Sequence, residues 1–407
     1  MNILLLGNGF DLYHNLPTRY IDFLHIADFL TKNYTYDAYR TVGQVLSDLK
    51  LQEKNPFIKR CYEVHKVIYD DMSLEPGKVR ELIDYVKGNI WFEYFLSSLN
   101  DDVGWIDFER EIAKVIHIFD NLSKKFNGTS FELDLHSAET FIILKYFDFF
   151  VKSFKIQKDG AILYNVKKEY QLNTPFGSDI YIIQESLIIK RLFDQLEDFK
   201  ASLKMYLHLF AEKVFDKNNV KSSVVTRHDA LLYADYIITL NYTHTYENLY
   251  VNGEVFHLHG DIDHQIVLGI NPDKYDDLET IDTSFIAFKK YYQRILYETD
   301  TNYLLWKKED PYTKDNVNLT VMGHSLDITD RDIILDLFEI SSKITILYHD
   351  ESAKKSYIEN LVKIFGREGF EQIRNFKDFQ FLSIDSNFKA SAEFLKSNSE
   401  TYIQSLT

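Results

Sequence analysis

Residues 4–20 read LLLGNGFDLYHNLPTRY, an apolar run that stops at Gly7-x-Gly9, with an acid at Asp11 and Leu16-Pro17 beyond it. The run Asn2–Leu6 is continuously apolar. Such a run suits a strand covered on both faces, as in a parallel sheet. Gly7 and Gly9 let the backbone take conformations closed to a residue with a Cβ, and let a ligand approach the main chain. A helix starting there would offer free amides to phosphate. The third glycine of a dinucleotide fingerprint is missing. The residues alone therefore leave two readings, a nucleotide loop or a tight strand-to-helix corner.

Further strand-like runs lie far downstream, at Tyr236–Leu240, Val255–His259, Ile266–Leu268, Leu319–Met322 and Lys343–Tyr348. The middle of the chain reads as helix. Phe108, Ile112, Val115, Phe119 and Leu122 share one helical face, and Ile189, Leu192, Phe193, Leu196, Phe199, Leu203, Tyr206 and Phe210 repeat the pattern. The expected organisation is a core from residues 1–20 and 231–407, interrupted by a helical insertion over 21–230. Leu319–Met322, a turn over Gly323–Thr329, a helix capped by Asp330 and Lys343–Tyr348 form one expected βαβ unit.

Composition narrows the function classes. The 407 residues are 45% hydrophobic, with Phe 31, Tyr 28, Gly 15 and only Pro 6, which disfavours a loop-dominated or disordered chain. The single cysteine, Cys61, excludes an internal disulfide framework and any multi-cysteine zinc module. A net charge of −16 argues against broad binding to nucleic acid or anionic membrane. "NILLLG" is too short for a secretory signal and lacks a basic flank, and no apolar stretch reaches the length of a membrane span. A reducing cytoplasm is the expected location.

Two more stretches carry chemistry. In TLNYTHTYENLYVNGEVFHLHGDID, residues 239–263, Asn241 lies just past one strand and His259-Gly260 past the next. That end of a parallel sheet is where ligands bind. An amide and an imidazole together could orient a ribose and accept its proton. For either residue alone, a turn Asn or a structurally bonded His is the favoured reading. The run HLHGDIDH also resembles the H-x-H-x-D-H run of the metallo-β-lactamase fold, but Ile262 and Asp263 separate Asp261 from His264, one residue too many. Alternation would put His257 and His259 on the same side of a strand. In the third stretch, LTVMGHSLDITDRD (residues 319–332), Gly323 and Ser325 could line a ribose or phosphates.

Taken together, these stretches resemble the sirtuin-type (SIR2-like) NAD-binding fold. Gly7-Asn8-Gly9-Phe10-Asp11 with Leu16-Pro17 is similar to its G-A-G-I-S and I-P. Thr239-Leu240-Asn241-Tyr242-Thr243 is similar to T-Q-N-I-D, His259-Gly260 to its catalytic His-Gly, and Gly323-His324-Ser325-Leu326 to G-S-S-L. More closely, GNGFDLYHNLPTRYIDFL, Trp105-Ile106-Asp107-Phe108-Glu109 and the Asn-Tyr-Thr segment resemble the AbiH-type abortive-infection proteins of bacteria, a phage-defence family. Thr243 stands where the sirtuin pattern has Asp, and Asp11 where it has Ser. The cysteine zinc ribbon typical of protein deacylases is absent.

The resemblance implies an α/β, Rossmann-like, mostly parallel sheet with a large helical insertion. It implies an anti-phage effector that hydrolyses NAD, as substrate, to nicotinamide and ADP-ribose. Asn241 and His259 would be catalytic, and both are expected partly exposed in a pocket. Gly7, Asn8, Gly9, Phe10, Asp11, Thr239, Gly323, His324 and Ser325 would contact the dinucleotide, with no metal. Gly7, Asn241, His259 and Gly323 should meet at one sheet edge. The phage trigger and any homo-oligomer are left open. The alternatives are a non-catalytic sensor of a nucleotide or phage component, and a metal-dependent nuclease.

Overall fold

In a computed structural model of the protein, six strands form one sheet: β1 (Asn2–Leu6), β2 (Tyr236–Thr239), β3 (Glu254–His257), β4 (Asn318–Met322), β5 (Lys343–Tyr348) and β6 (Asp378–Ser383). Their order is β6-β5-β4-β1-β2-β3, and every neighbouring pair is parallel. This is the doubly wound order of a Rossmann-like α/β fold, whose chain direction reverses between β1 and β4. The structure describes residues 1–99, 107–125, 131–132, 138–156, 162–173, 181–215, 234–250, 253–270, 284–299, 303 and 317–384. Trp105 and Ile106 lie outside them.

Strand alternation divides the core in two. Leu4, Leu6, Ile237, Met322 and Leu347 face one large cluster that includes the segment between β1 and β2. Ile3, Leu5, Ile238, Leu319, Val321, Ile344 and Ile346 face the other. With both faces covered, the strands have no solvent side to mark with polar residues.

The inter-strand segment begins with α1 (Asn8–Tyr13), and its longer helices include α2 (Phe108–Lys125) and α3 (Glu185–Phe210). Of the expected stripes, Phe108, Ile112, Val115 and Phe119 on α2 and Leu192, Leu196, Phe199, Leu203, Tyr206 and Phe210 on α3 are buried, while Ile189 and Phe193 are half-buried. Much of this core is aromatic; Phe95 stacks on Phe108 at 4.4 Å, and Phe23 meets Phe199 edge-on at 5.4 Å. The segment is not purely helical. Phe131–Glu132, Phe150–Ile156 and Ile162–Val166 make a small antiparallel sheet, and Gln171–Asn173 pairs with Tyr181–Ile183.

After β2 come α4 (Thr245–Leu249) and, beyond β3, α5 (Lys290–Tyr297). Then α6 (Arg331–Ile340) and α7 (Glu351–Phe376) cover the second sheet face through Ile334, Leu337, Tyr357 and Leu361. Three expectations change. Ile266–Leu268 is buried but is no strand: Val267 N–H donates to the His259 carbonyl and Leu268 N–H to the Gln293 side chain. The edge strand β6 was not expected. Asp330 sits at the N-cap of α6 without capping it, because its carboxylate is engaged elsewhere.

Candidate functional site

The C-terminal row of the sheet reads His257, Thr239, Leu6, Met322 and Leu347 in register. Gly7 and Gly323 are the next residues after β1 and β4, at the switch point. They pack on each other. Gly7 N–H donates to Met322 O at 3.2 Å and Gly9 N–H to Gly323 O at 2.8 Å. A Cβ on Gly9 would lie 2.6 Å from Gly323 Cα, and one on Gly323 (φ +72°) would lie 2.2 Å from Phe10 N. The glycines are thus required first by this loop-to-loop contact. Asn8 is exposed and accepts the Thr18 hydroxyl at 2.6 Å, whereas Phe10 is a core residue against His14, Tyr246 and Tyr250.

Asp11, on α1, is 1% exposed, and Asn241, just beyond β2, is 6% exposed. Thr243 donates to Asp11 Oδ2 at 2.7 Å, and Thr245 donates to Thr243 at 3.0 Å. Burial pushes the Asp11 carboxyl up to about 7, opposed by the Thr243 and Thr245 hydroxyls and reinforced by Glu212. Asp11 Oδ1 and Asn241 Oδ1 are buried without a hydrogen-bond partner. Thr239 turns its hydroxyl oxygen to the Asn241 N–H at 3.1 Å, which sets the direction in which the chain leaves β2.

His259 follows β3 and is 4% exposed. Its Nε2 stands 3.2 Å from Asp330 Oδ1, close enough for attraction but off hydrogen-bond alignment. Lys290, at the start of α5 and 1% exposed, bridges Asp330 Oδ1 (2.8 Å) and Glu109 Oε1 (2.7 Å). On the far side of Asp330, His324 Nδ1 accepts the Leu326 N–H at 3.0 Å, so Nε2–H faces Asp330 Oδ2 at 3.2 Å. Burial, aided by Lys290, lowers the His259 imidazole to about 4, leaving it neutral at physiological pH. Burial also pushes Glu109 up to about 7 against the pull of Lys290. It would raise Asp330 too, but Lys290 and His259 hold that carboxylate well below its ordinary range.

A second polar cluster lies beside Asn241. His257 Nδ1 is 3.1 Å from the Asn241 carbonyl and its Nε2 is 2.6 Å from Glu247 Oε1. His244 Nδ1 is 3.1 Å from Glu212 Oε1, and its Nε2 is 3.8 Å from Asp261 Oδ2. His264 bonds Asp261 at 2.9 Å. His257 and His259 therefore serve different clusters, because β3 ends at His257 and strand alternation stops there.

The structure thus brings Gly7, Gly9, Asp11, Asn241, His259, Gly323 and His324 to the C-terminal edge, while Ser325 is exposed at the rim. The expectation that Asn241 and His259 are partly exposed is corrected: both are buried, His259 against Asp330, which Lys290 at the start of α5 also holds, and Asn241 beside His257 and Asp11. Clefts of about 490 and 420 Å³ lie elsewhere, along the outer helices near Arg80 and near Phe193. Sequence reading missed Lys290, Glu109 and Asp330 as site residues. It also missed His244 and Glu247, although their H-x-x-E spacing was legible.

The sheet order and the polar residues gathered at its switch point define a Rossmann-like α/β protein with its candidate site at the C-terminal edge. The chain belongs to the bacteriophage abortive infection AbiH family, whose model matches residues 3–349 of the 407. No curated protein and no solved structure matches it. Among the described residues, no helix is long and apolar enough to cross a membrane.

Proposed function

We propose that this AbiH chain is an abortive-infection effector with a SIR2-like core that hydrolyses NAD to nicotinamide and ADP-ribose. One observation carries the reading. Asp11, Asn241 and His259, from the segments after three adjacent strands, are buried beside the switch point, and Asp11 Oδ1 and Asn241 Oδ1 lack a hydrogen-bond partner. Buried polar atoms are ordinarily satisfied, so an unsatisfied set calls for a ligand or water.

The chemistry required is cleavage of the C1′–N bond with positive charge developing on the ribose. Asp11, once ionised, places a negative charge where an oxocarbenium-like centre would form. Asn241 holds a ribose hydroxyl or the attacking water. His259 is neutral and faces Asp330 through Nε2, so Nδ1 is the nitrogen left to accept a ribose hydroxyl proton. Asn8 and Ser325, both exposed, mark the rim where the dinucleotide enters. With the reacting groups this deeply covered, entry requires the loop over residues 323–330 to move. A closed resting state suits an effector that must stay silent until infection.

The test is nicotinamide release from NAD by purified protein mixed with extract of phage-infected cells. Wild type should release it and His259→Ala should not. Equal release by both would remove His259 from the mechanism. No release by wild type in extracts that support abortive infection would overturn the reading.

A further inference from the structure

The cluster around His244 and His257 has a logic separate from the network around His259. His257 places Nδ1 against the Asn241 carbonyl, which can only accept, so that nitrogen carries the hydrogen. Its Nε2 lies 2.6 Å from Glu247 Oε1, a pairing that a proton on the ring or a metal ion with slightly parted ligands would satisfy. His244 likewise lies between two carboxylates, with Nδ1 held by Glu212 and Nε2 facing Asp261; Asp261 and Glu212 push its imidazole up to about 10, so a metal ion binding there would displace a proton. An imidazole fixed through one nitrogen by a carbonyl or carboxylate, with the other nitrogen turned inward, is the usual posture of a metal ligand.

Local sequence builds the convergence. His244 and Glu247 are three residues apart at the start of α4, which puts them on one helical face. His257 ends β3, the strand paired with β2. The ligating atoms of His244, Glu247 and His257 all lie within 4.8 Å of one another, as do those of His244, Asp261 and Asp263. Glu247 Oε2 is buried with no partner. Four carboxylates, Glu212, Glu247, Asp261 and Asp263, surround these rings. The nearby Lys204 directs its ammonium to the His264 carbonyl.

We propose that His244, Glu247 and His257 bind one divalent transition-metal ion, with Asp261 as a further ligand and Glu212 orienting His244. Two imidazoles with carboxylates suit zinc or manganese better than magnesium or calcium. Zinc needs ligand bonds of about 2.0–2.2 Å, so the His257–Glu247 pair would open slightly to admit it. This set is not the HLHGDIDH run: His259 belongs to the Asp330 network and is no ligand. The ion ties the β2–α4 connection to the end of β3 on either side of Asn241, which makes it a clamp on the candidate site.

The test uses the full chain and no NAD. Metal content of purified protein is measured by mass spectrometry, and zinc is titrated calorimetrically into chelator-treated, dialysed protein, with manganese and magnesium for comparison. The expected result is about one zinc per chain and a melting temperature that rises with zinc. Glu247→Gln and His257→Gln should abolish the site, and Glu212→Gln should weaken it by roughly 10–100-fold. His264→Ala should leave it intact. Folded wild type that takes up neither zinc nor manganese overturns the proposal, whatever the variants do. So does zinc uptake that Glu247→Gln and His257→Gln leave unchanged while both melt cooperatively. Zinc uptake with no nicotinamide release would count against NAD hydrolysis alone.

Discussion

Replacing Asp11 with Asn isolates the cost of the buried carboxylate. Burial carries this carboxyl from 3.8 to about 7. Each tenfold change in proton affinity is worth about 1.4 kcal/mol, so the ionised form costs the folded chain about 4 kcal/mol. An acid raised in the folded state binds more protons folded than unfolded between those values, so stability must fall as pH rises through that window. Below about pH 4 the carboxyl is protonated in both states and the penalty vanishes. The Asn side chain keeps an oxygen for the Thr243 hydroxyl, which donates at 2.7 Å, and removes the charge. Urea denaturation of both proteins at several values from about pH 4.5 to pH 8 provides the assay, because other titrating groups cancel in the difference. The stability curves should nearly meet at the acid end, and Asp11→Asn should be more stable by up to about 4 kcal/mol at pH 8. The same variant should lose NAD hydrolysis, since residues tuned for chemistry are commonly retained at a cost in stability. Parallel curves, or a variant less stable at every pH, would refute the reasoning.

Lys290→Met should destabilise the fold by about 3–5 kcal/mol, because it leaves Glu109 and Asp330 as buried acids without their cation; chemical denaturation checks this, and a loss below about 1 kcal/mol would contradict the network. Gly9→Ala and Gly323→Ala should each cost roughly 1–3 kcal/mol, since the added methyl meets backbone at 2.6 and 2.2 Å. Gly77→Ala, where a methyl meets nothing within 4 Å, serves as the control and should be neutral or slightly stabilising in the same thermal melts. Asn241→Ala should abolish nicotinamide release while retaining a cooperative melt; full activity would remove Asn241 from the site.

The parts of the fold legible in sequence were those with a pattern imposed by burial. β1, β2, β4 and β5 are apolar runs because both sheet faces are covered, and α2 and α3 carry one buried stripe each. β6 escaped notice because DFQFLS is an edge strand mixing polar and apolar residues that pairs with β5 alone. Ile266–Leu268 imitates a strand, yet the Val267 and Leu268 amides are satisfied by His259 and Gln293. Asp330 stands where a helix cap belongs, and nothing near it in sequence announces Lys290, 40 positions upstream. Asn241 and His259 were legible because each follows a strand. Their burial was not, since it depends on partners distant in sequence: Asp330 for His259, and Asp11 for Asn241. His244 and Glu247 carried a readable helical spacing that the neighbouring HLHGDIDH run outshone.

The central claim is that the residues gathered at the C-terminal edge of the sheet destroy NAD during infection. Cellular NAD, measured over time after phage infection of cells expressing wild type or His259→Ala, tests it most directly. NAD should collapse before lysis with wild type and hold at the uninfected level with the variant. Wild-type cells that abort infection with their NAD intact would contradict the claim.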